Sequence, residues 1–476
     1  MRLSRAWLLW AQLLGLCMSG CASVEPPDVE PVSFESGTND IRLSFVGRYT
    51  FGFFDIGAAA PPAYDPETER LFVVAVDRGL IDTLDISDPS EPRLIARKLL
   101  LGYGGFPSSV DVAHGVLAVA LKGVINTLPG KVLFFDVAGR RIAPPVRVGA
   151  KPIQLAYTAA GRELVVANQG EANSQYTIDP NGSVSIIDLG LSDPDCRGRA
   201  CDIDPEAILL DFRAFNDRRD ELVAEGVRIY GPNASVAQDL EPEAVAIAPD
   251  GETAWVSLQR NNAMAAIDIP RRAIDDLFAL GTKNHRLAEN ALDASDRDGG
   301  ISIRPWPLRS FYQPDILAAY DVDGSTYLVT PNEGDPRDFD GFSEDVRVRN
   351  LRLDPAAFPD AANLQADSNL GRCASPTPTA MPTATATSMR SSRSARARSR
   401  SGRPRGSWSS TAATISSGSS PRPFRRVSTA QTTVSSSTGK APIADPNRRS
   451  SRSARSAAAA TPSLRRSGSA ASTSTT

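Results

Sequence analysis

Apolar residues in this chain come in short runs rich in valine, isoleucine, leucine and alanine. Turns built from glycine, proline and aspartate separate them. The runs at 71–76, 116–121, 164–167, 254–258 and 327–330 are short for buried helices. Turns such as Tyr64-Asp65-Pro66-Glu67 and Ala248-Pro249-Asp250-Gly251 bound them. Short β-branched segments between such turns predict antiparallel strands.

Two signatures recur along these strands. One is an apolar residue, Asp, then an apolar residue: Leu84-Asp85-Ile86, Phe135-Asp136-Val137, Ile187-Asp188-Leu189 and Ile267-Asp268-Ile269, the first three spaced by 51 and 52 residues. The other is a proline two or three residues before an apolar strand, at Pro107, Pro152, Pro242 and Pro314, the first two 45 residues apart. Wider gaps hold insertions such as 190–232. Units of roughly 45–50 residues with three or four strands are blades of a β-propeller. The expected fold class is therefore all-β, with about five blade starts between residues 60 and 320. An array of β-sandwiches leaves the repeated proline unexplained. Pro61 and Pro62 fall where the first inner strand belongs, which predicts a weak strand there. A strand at 41–49 is expected to complete the last blade and close the ring.

The N-terminus changes the setting. Arg2 and Arg5 precede a short apolar segment, 6–16, and then Met18-Ser19-Gly20-Cys21. This is a signal peptide in length and order, not a membrane span. Small residues before a cysteine resemble the lipobox of bacterial lipoproteins. That resemblance implies cleavage before Cys21 and lipidation of its thiol, with ordinary secretion as the alternative. The expected location is extracytoplasmic, with attachment to a bacterial membrane through the N-terminal lipid. The expected division is signal peptide 1–20, tether 21–40, propeller 41–372 and low-complexity tail 373–476. In an oxidising compartment Cys196 and Cys201, which bracket a polar loop, are expected to form a local disulfide.

Composition splits the chain further. Residues 371–476 carry eighteen Lys/Arg against the single acid Asp445, whereas the remainder is net −20. Ser, Thr, Ala and Arg fill the tail, so it cannot bury enough apolar surface to fold and is expected to be disordered. A basic tail could hold anionic partners, but the acidic body is not expected to bind nucleic acid. A different origin fits the tail better. Codons ending in G, shifted by one base, turn the stretch from Pro376 to Met389 into an Asp-Ala-Asp-Gly string of the calcium-loop type. The chain thus reads as out of frame after about residue 372, with the remaining blades lost. On that reading it is the inactive, truncated product of a frameshifted gene.

Three segments carry a family resemblance: Ala167-Asn-Gln-Gly-Glu-Ala-Asn-Ser-Gln-Tyr-Thr-Ile-Asp-Pro-Asn-Gly-Ser-Val-Ser-Ile-Ile-Asp188, Leu292-Asp-Ala-Ser-Asp-Arg-Asp-Gly-Gly-Ile301 and Asn332-Glu-Gly-Asp-Pro-Arg-Asp-Phe-Asp-Gly-Phe-Ser-Glu344. Through them, residues 41–372 resemble the choice-of-anchor I family of exported bacterial proteins. That family is similar to the mesenchyme-specific cell-surface glycoprotein linked to biomineralisation. The resemblance implies a seven-bladed, WD40/YVTN-like propeller and no established reaction.

Strand order places the loops carrying Glu241, Glu243, Pro314 and Asp315, and those carrying Glu171, Glu333 and Asp335, around one end of the central channel. Convergent carboxylates with amide oxygens suit calcium, a hard cation wanting six to eight oxygens. Calcium is the candidate cofactor, with Glu171, Glu241, Glu243, Glu333 and Asp335 as channel ligands. Asp293, Asp296 and Asp298 form a second candidate loop, and Asp338 and Asp340 a third. Acids in Asp-Gly and Asn-Gly turns also serve simply as turn residues. The expected function is a binding or scaffold module for an unidentified envelope ligand or protein. The alternative is a calcium-dependent phosphoesterase or phytase-like hydrolase, for which Arg297 and Arg337 are the phosphate-holding candidates. No catalytic residue is assigned. His114 and His285 have no persuasive catalytic partner, and no nucleophile elbow or phosphate-binding glycine loop occurs.

Overall fold

The computed structural model describes residues 44–51, 60, 62–191 and 203–376, with two further two-residue strands near 413 and 428. The expected signal peptide, the tether, Cys21 and the Cys196–Cys201 loop lie outside the described residues.

Four consecutive antiparallel meanders form the body. The first contains β1 (Ala63–Asp65), β2 (Arg70–Ala75), β3 (Leu80–Asp85) and β4 (Arg93–Leu99). The second contains β5 (Gly105–Ala113), β6 (Val116–Gly123), β7 (Pro129–Asp136) and β8 (Val146–Ala150). The third contains β9 (Pro152–Tyr157), β10 (Glu163–Asn168), β11 (Ser183–Asp188) and β12 (Glu206–Asp211). The fourth contains β13 (Val245–Ile247), β14 (Thr253–Leu258), β15 (Ala263–Asp268) and β16 (Ala273–Ala279). After a small ladder of β17 (Lys283–Asn284) and β18 (Arg309–Ser310), β19 (Ala318–Val322) and β20 (Ser325–Val329) open a fifth sheet. Four-stranded meanders stacked face to face in chain order are propeller blades.

The pleat explains why the strands read as continuous apolar runs. Successive side chains point to opposite faces, and here both faces are covered. On β6, Leu117, Val119 and Leu121 pack with Phe72, Val74 and Ile81 of the first blade. Their neighbours Val116, Ala118 and Ala120 pack with Leu155, Leu164 and Val166 of the third. The same alternation continues: Val165, Ala167, Val184 and Ile186 meet Val245, Val256 and Leu258, and Trp255 and Met264 meet Leu317 and Leu328. Each interface buries side chains worth roughly 1.5–3 kcal/mol apiece against exposure. The blades therefore hold one another, not themselves.

The aspartate signature ends the third strand of each of these four blades. Asp85, Asp136, Asp188 and Asp268 are the last residues of β3, β7, β11 and β15. Each carboxylate accepts backbone N–H bonds from the turn that follows. Asp136 accepts from Ala138 at 3.0 Å and Arg140 at 2.8 Å, Asp188 from Gly190 at 3.0 Å and Asp268 from Arg271 at 2.7 Å. Such side-chain turns cost the sheet nothing because they lie beyond its ladder.

The prolines mark inner strands. Pro107 sits at a register shift in β5 and Pro152 opens β9. Inner strands carry proline because one edge faces the channel, where no ladder partner is needed. The edges are instead laced by side chains. Ser108 Oγ donates to the Pro152 carbonyl at 2.7 Å, Asp111 accepts from the Tyr157 N–H at 2.8 Å and Gln154 accepts from the Val245 N–H at 2.7 Å. As expected from Pro61 and Pro62, β1 is only three residues long.

One expectation is corrected. The described part of 41–49 is not a strand, and no sheet includes residues 44–51. Gly47 instead lies against the backbone of Pro89 and Ser90, with no room for a β-carbon. That contact holds the segment beside the β3–β4 turn of the first blade, so it pairs with no blade edge. The insertion expected at 190–232 carries structure of its own. A 3₁₀ turn, Arg213–Arg218, runs into α1 (Arg219–Glu225), and α2 (Val236–Asp239) follows. Ser235 and Gln238 cap α2 reciprocally. Phe212, Phe215, Leu222, Val227 and Val236 from this insertion join the core between the third and fourth blades.

Beyond β20, among the described residues, the fifth sheet continues through β25 (Ala413–Thr414) and β26 (Ser428–Thr429). Between them in sequence, β21 (Asp338–Phe339) pairs with β22 (Phe342–Ser343), and β23 (Asp345–Arg347) with β24 (Ala374–Pro376). Among the described residues, no helix is long and apolar enough to cross a membrane.

Candidate functional site

Three loops and the insertion meet at one end of the channel. The loop after β10 begins at Asn168 and turns at Gly170, whose φ is 66° and whose absent β-carbon leaves room for the Asn181 backbone. Only glycine fits that approach. The turn carries Glu171 back toward Lys151, with which it forms an ion pair. The segment entering β13 brings Glu241 and Glu243. The loop after β20 brings Glu333, Asp335 and Arg337. The end of the insertion brings Arg228, Tyr230 and Asp239.

Arginines bind these acids together. Arg260 donates from Nη1 to Glu171 at 3.0 Å and to Glu241 at 2.8 Å, and from Nε to Asp335 at 2.7 Å. Arg337 donates from Nε to Glu241 at 2.9 Å, from Nη1 to Asp239 Oδ1 at 2.9 Å and from Nη2 to the Asp239 carbonyl at 2.6 Å. Arg228 pairs with Glu344, and the Tyr230 hydroxyl donates to the same carboxylate at 2.5 Å. The Tyr230 ring lies between the two guanidiniums, 4.2 Å from Arg228 and 4.5 Å from Arg337. Cation–π attraction of this kind strengthens when the groups leave water. Asp239 is also held by the N–H groups of Tyr230 and Gly231 and by Asn261. Charges so deeply placed are tolerable only when paired and hydrogen-bonded.

The electrostatics divide the acids into two sets. Burial opposes ionisation of Glu171, but Lys151 and Arg260 overcome it and hold its carboxyl below the usual range. Burial likewise opposes the charge on Arg337 and Arg260, yet the surrounding carboxylates keep both firmly protonated. Glu243 behaves oppositely. Burial first, then its neighbours Glu241 and Asp335, push its carboxyl up to about 8 despite Arg260 and Lys151. Burial raises Asp179 to about 7, with Glu241 and Asp239 adding to the shift and Arg337 opposing it. Asp315 is raised by burial and by Glu333 and Asp335.

The channel candidates named from sequence therefore do converge. Glu171, Glu241 and Asp335 surround Arg260, Glu243 accepts from Gln169 Nε2 at 2.5 Å, and Glu333 extends the rim as an exposed side chain. Their immediate partners are arginine, lysine and amide groups. Among the described residues, no set of three or more His, Cys, Asp or Glu side chains is placed to hold a metal ion. Asp293, Asp296 and Asp298 do not join them. They lie exposed between β17 and β18, where Asp296 pairs with Arg372 at 2.7 Å and Asp298 accepts from the Gly300 N–H. Arg297 sits on that same outer loop, 3.9 Å from Asp296. Arg337, proposed from sequence as a phosphate-holding group, is fully buried and wholly engaged by Asp239 and Glu241. His285 is buried, with Nδ1 at 2.7 Å from the Asn290 carbonyl and Nε2 at 2.8 Å from Ser310 Oγ. Asp340 accepts from Gln175 at 3.1 Å, joining two of the segments that carry the family resemblance.

Sequence reading missed Lys151, Gln169, Arg228, Tyr230, Asp239, Arg260 and Glu344. The Ser235-x-x-Gln238 capping box was a legible signal that 190–232 leads into structured chain. Nothing local marks which arginine enters the channel. A surface cleft of about 300 Å³ lies elsewhere, between the outer strands β8 and β12, lined by Pro144, Pro145, Arg147, Pro205 and Glu206 among others.

Solved structures, one of them a β-propeller domain, are similar to this chain at low identity. The β-propeller domain of Cps50 (Swd1) from Myceliophteria thermophila aligns at 12% identity and a TM-score of 0.34, covering 58% of this chain and 64% of that one. A functionally unknown protein from Desulfotomaculum acetoxidans aligns at 9% identity and a TM-score of 0.34, covering 60% and 65%. Hydrazine synthase from Kuenenia stuttgartiensis aligns at 12% identity and a TM-score of 0.29, covering 56% and 79%. The chain thus spans under two thirds of the first two structures. No curated protein matches it. The model of the choice-of-anchor I domain matches residues 61–401, covering the described blades and continuing beyond Cys373. The chain belongs to the choice-of-anchor I family.

Proposed function

We propose that this protein is a lipid-anchored, extracytoplasmic propeller that acts as a binding or scaffold module, with the charged channel mouth as its recognition surface. The observation carrying this reading is the convergence of Lys151, Glu171, Glu241, Arg260 and Asp335 from three separate blades into one rim network. Such side chains are costly to gather and leave polar groups of both signs facing the channel. The N-terminal Met18-Ser19-Gly20-Cys21 supports attachment by a lipid on Cys21.

A calcium-dependent phosphoesterase has less support. Calcium at the rim has to displace Arg260 or Lys151 from carboxylates they already neutralise. Phosphate cannot reach Arg337. Calcium therefore enters this reading only as an added ligand to be tested.

Two experiments address the proposal. Labelled palmitate should enter the native protein, and Cys21→Ser should release it into the soluble fraction. Purified full-length chain should sediment with envelope fragments, and Arg260→Ala should weaken that binding. Unchanged sedimentation in Arg260→Ala removes the channel mouth as the surface. Loss of activity toward a phosphate ester only when calcium is chelated would restore the hydrolase reading.

A second reading concerns the chain itself. The composition break after residue 372 supports a reading frame lost near that point. On this reading the product is a truncated, inactive copy.

A further inference from the structure

We propose that the part of the channel mouth bounded by Gln169, Glu243, Asp315 and Glu333 binds a primary ammonium group of a small organic molecule. The proposal rests on the channel mouth being the recognition surface.

The first observation is an orphaned acceptor. Gln169 is only 2% exposed, and its Oε1 has no hydrogen-bond partner. Its Nε2 is committed to Glu243 Oε2 at 2.5 Å, so the bare oxygen lies beside that carboxyl. On the same loop, Asn168 Oδ1 and both oxygens of Asp179 are also buried without partners. On the described stretch 168–179 these four bare acceptor oxygens stand against one unpartnered hydroxyl, that of Tyr176. The loop therefore has an excess of acceptors over donors. A buried acceptor left bare costs about 1–3 kcal/mol, so the missing element is something that donates.

The second observation is the charge balance. Lys151 and Arg260 are taken up by Glu171, Glu241 and Asp335. Among the described residues, no ion pair reaches Glu243, Asp315 or Glu333. Burial raises the carboxyls of Glu243 and Asp315, and neighbouring carboxylates add to both shifts. An incoming cation favours their charged forms.

An ammonium group satisfies both conditions, since it brings one positive charge and three donors with no acceptor. A bare metal ion supplies charge but wants a closed set of carboxylate oxygens, and no such set is placed here. A neutral polyol supplies donors without charge.

The test is calorimetric titration of the full-length protein with 1,4-diaminobutane, glucosamine, calcium chloride and glycerol. Saturable binding of either amine, with calcium and glycerol failing to compete, is expected. The two amine probes distinguish an alkyl polyamine from an amino sugar. Binding of 1,4-diaminobutane, which stays protonated throughout, should release a proton at pH 7, because Glu243 ionises when the cation arrives, and its affinity should rise from pH 6 to pH 8. Glu243→Gln should weaken binding at least tenfold and abolish both the proton release and the pH dependence. Gln169→Leu should weaken it without removing the pH dependence. The exposed rim variant Glu333→Gln, which leaves the core untouched, should weaken it several-fold. Absence of amine binding, amine binding unaltered in Glu243→Gln and Glu333→Gln, or displacement of the amine by calcium overturns the proposal. If the amines fail while Arg260-dependent sedimentation with envelopes persists, only this inference falls. If both fail, the reading of the mouth as a recognition surface falls with it.

Discussion

Arg337 and Asp239, ninety-eight residues apart in the chain, meet in the protein interior with Nη1 2.9 Å from Oδ1 and neither side chain reaching solvent. The pair ties the loop after β20 to the end of the insertion between the third and fourth blades. Removing one member leaves the other charged and buried. Arg337→Ala should therefore cost about 3–5 kcal/mol of stability, measured by urea denaturation. The exposed pair Arg93–Glu91 provides the contrast, and Arg93→Ala should cost under about 1 kcal/mol. Equal losses in the two variants would contradict the assigned role.

The turn-closing aspartates should differ in weight. Asp136 is buried and accepts from two backbone N–H groups and from Arg140 Nε at 2.9 Å. Burial pushes its carboxyl up, but these bonds prevail and hold it below the ordinary value. An acid with a lowered pKa in the native state adds stability that is present above its unfolded value and lost as pH falls through the native one. Asp136→Ala should cost about 1–3 kcal/mol at pH 7. That cost should shrink below pH 4, read from the difference in urea midpoint between variant and parent.

Glu243 has the opposite sign. Its carboxyl is raised to about 8, so the native state holds a proton that the unfolded chain has already released above about pH 4.5. Its contribution thus favours folding at low pH and weakens as pH rises toward 8. Glu243→Gln should be more stable than the parent at pH 9, with the advantage fading toward pH 5. A constant difference in melting temperature across that range would show that Glu243 does not titrate as described.

The chain beyond β20 yields a prediction at the level of the gene. Resequencing the genomic DNA across codons 360–395 should reveal a missing or extra base. Restoring the frame should then raise the urea midpoint above that of the 476-residue product, because unpaired sheet edges become covered. An unaltered DNA sequence, or no gain in midpoint from the restored frame, would count against this.

Blade organisation was legible in the sequence because its causes are local. Alternating burial on both faces gives unbroken apolar strands such as Val116-Leu-Ala-Val-Ala-Leu121, and the turn after each third strand needs an aspartate within two to four residues of the N–H it caps. Residues 41–49 were misread because apolar content does not say whether an edge is available to pair with.

The site was legible only by halves. Loop position told that Glu171, Glu241, Glu243, Glu333 and Asp335 face one end of the channel, since strand order fixes which loops share a face. Their partners were not, because Arg260 reaches Glu171 across 89 residues and Asp335 across 75. Sequence determined the blades and the acidic rim. Tertiary structure decided which cation each acid meets, because a charge in the interior takes its state from neighbours that only folding brings within hydrogen-bonding distance.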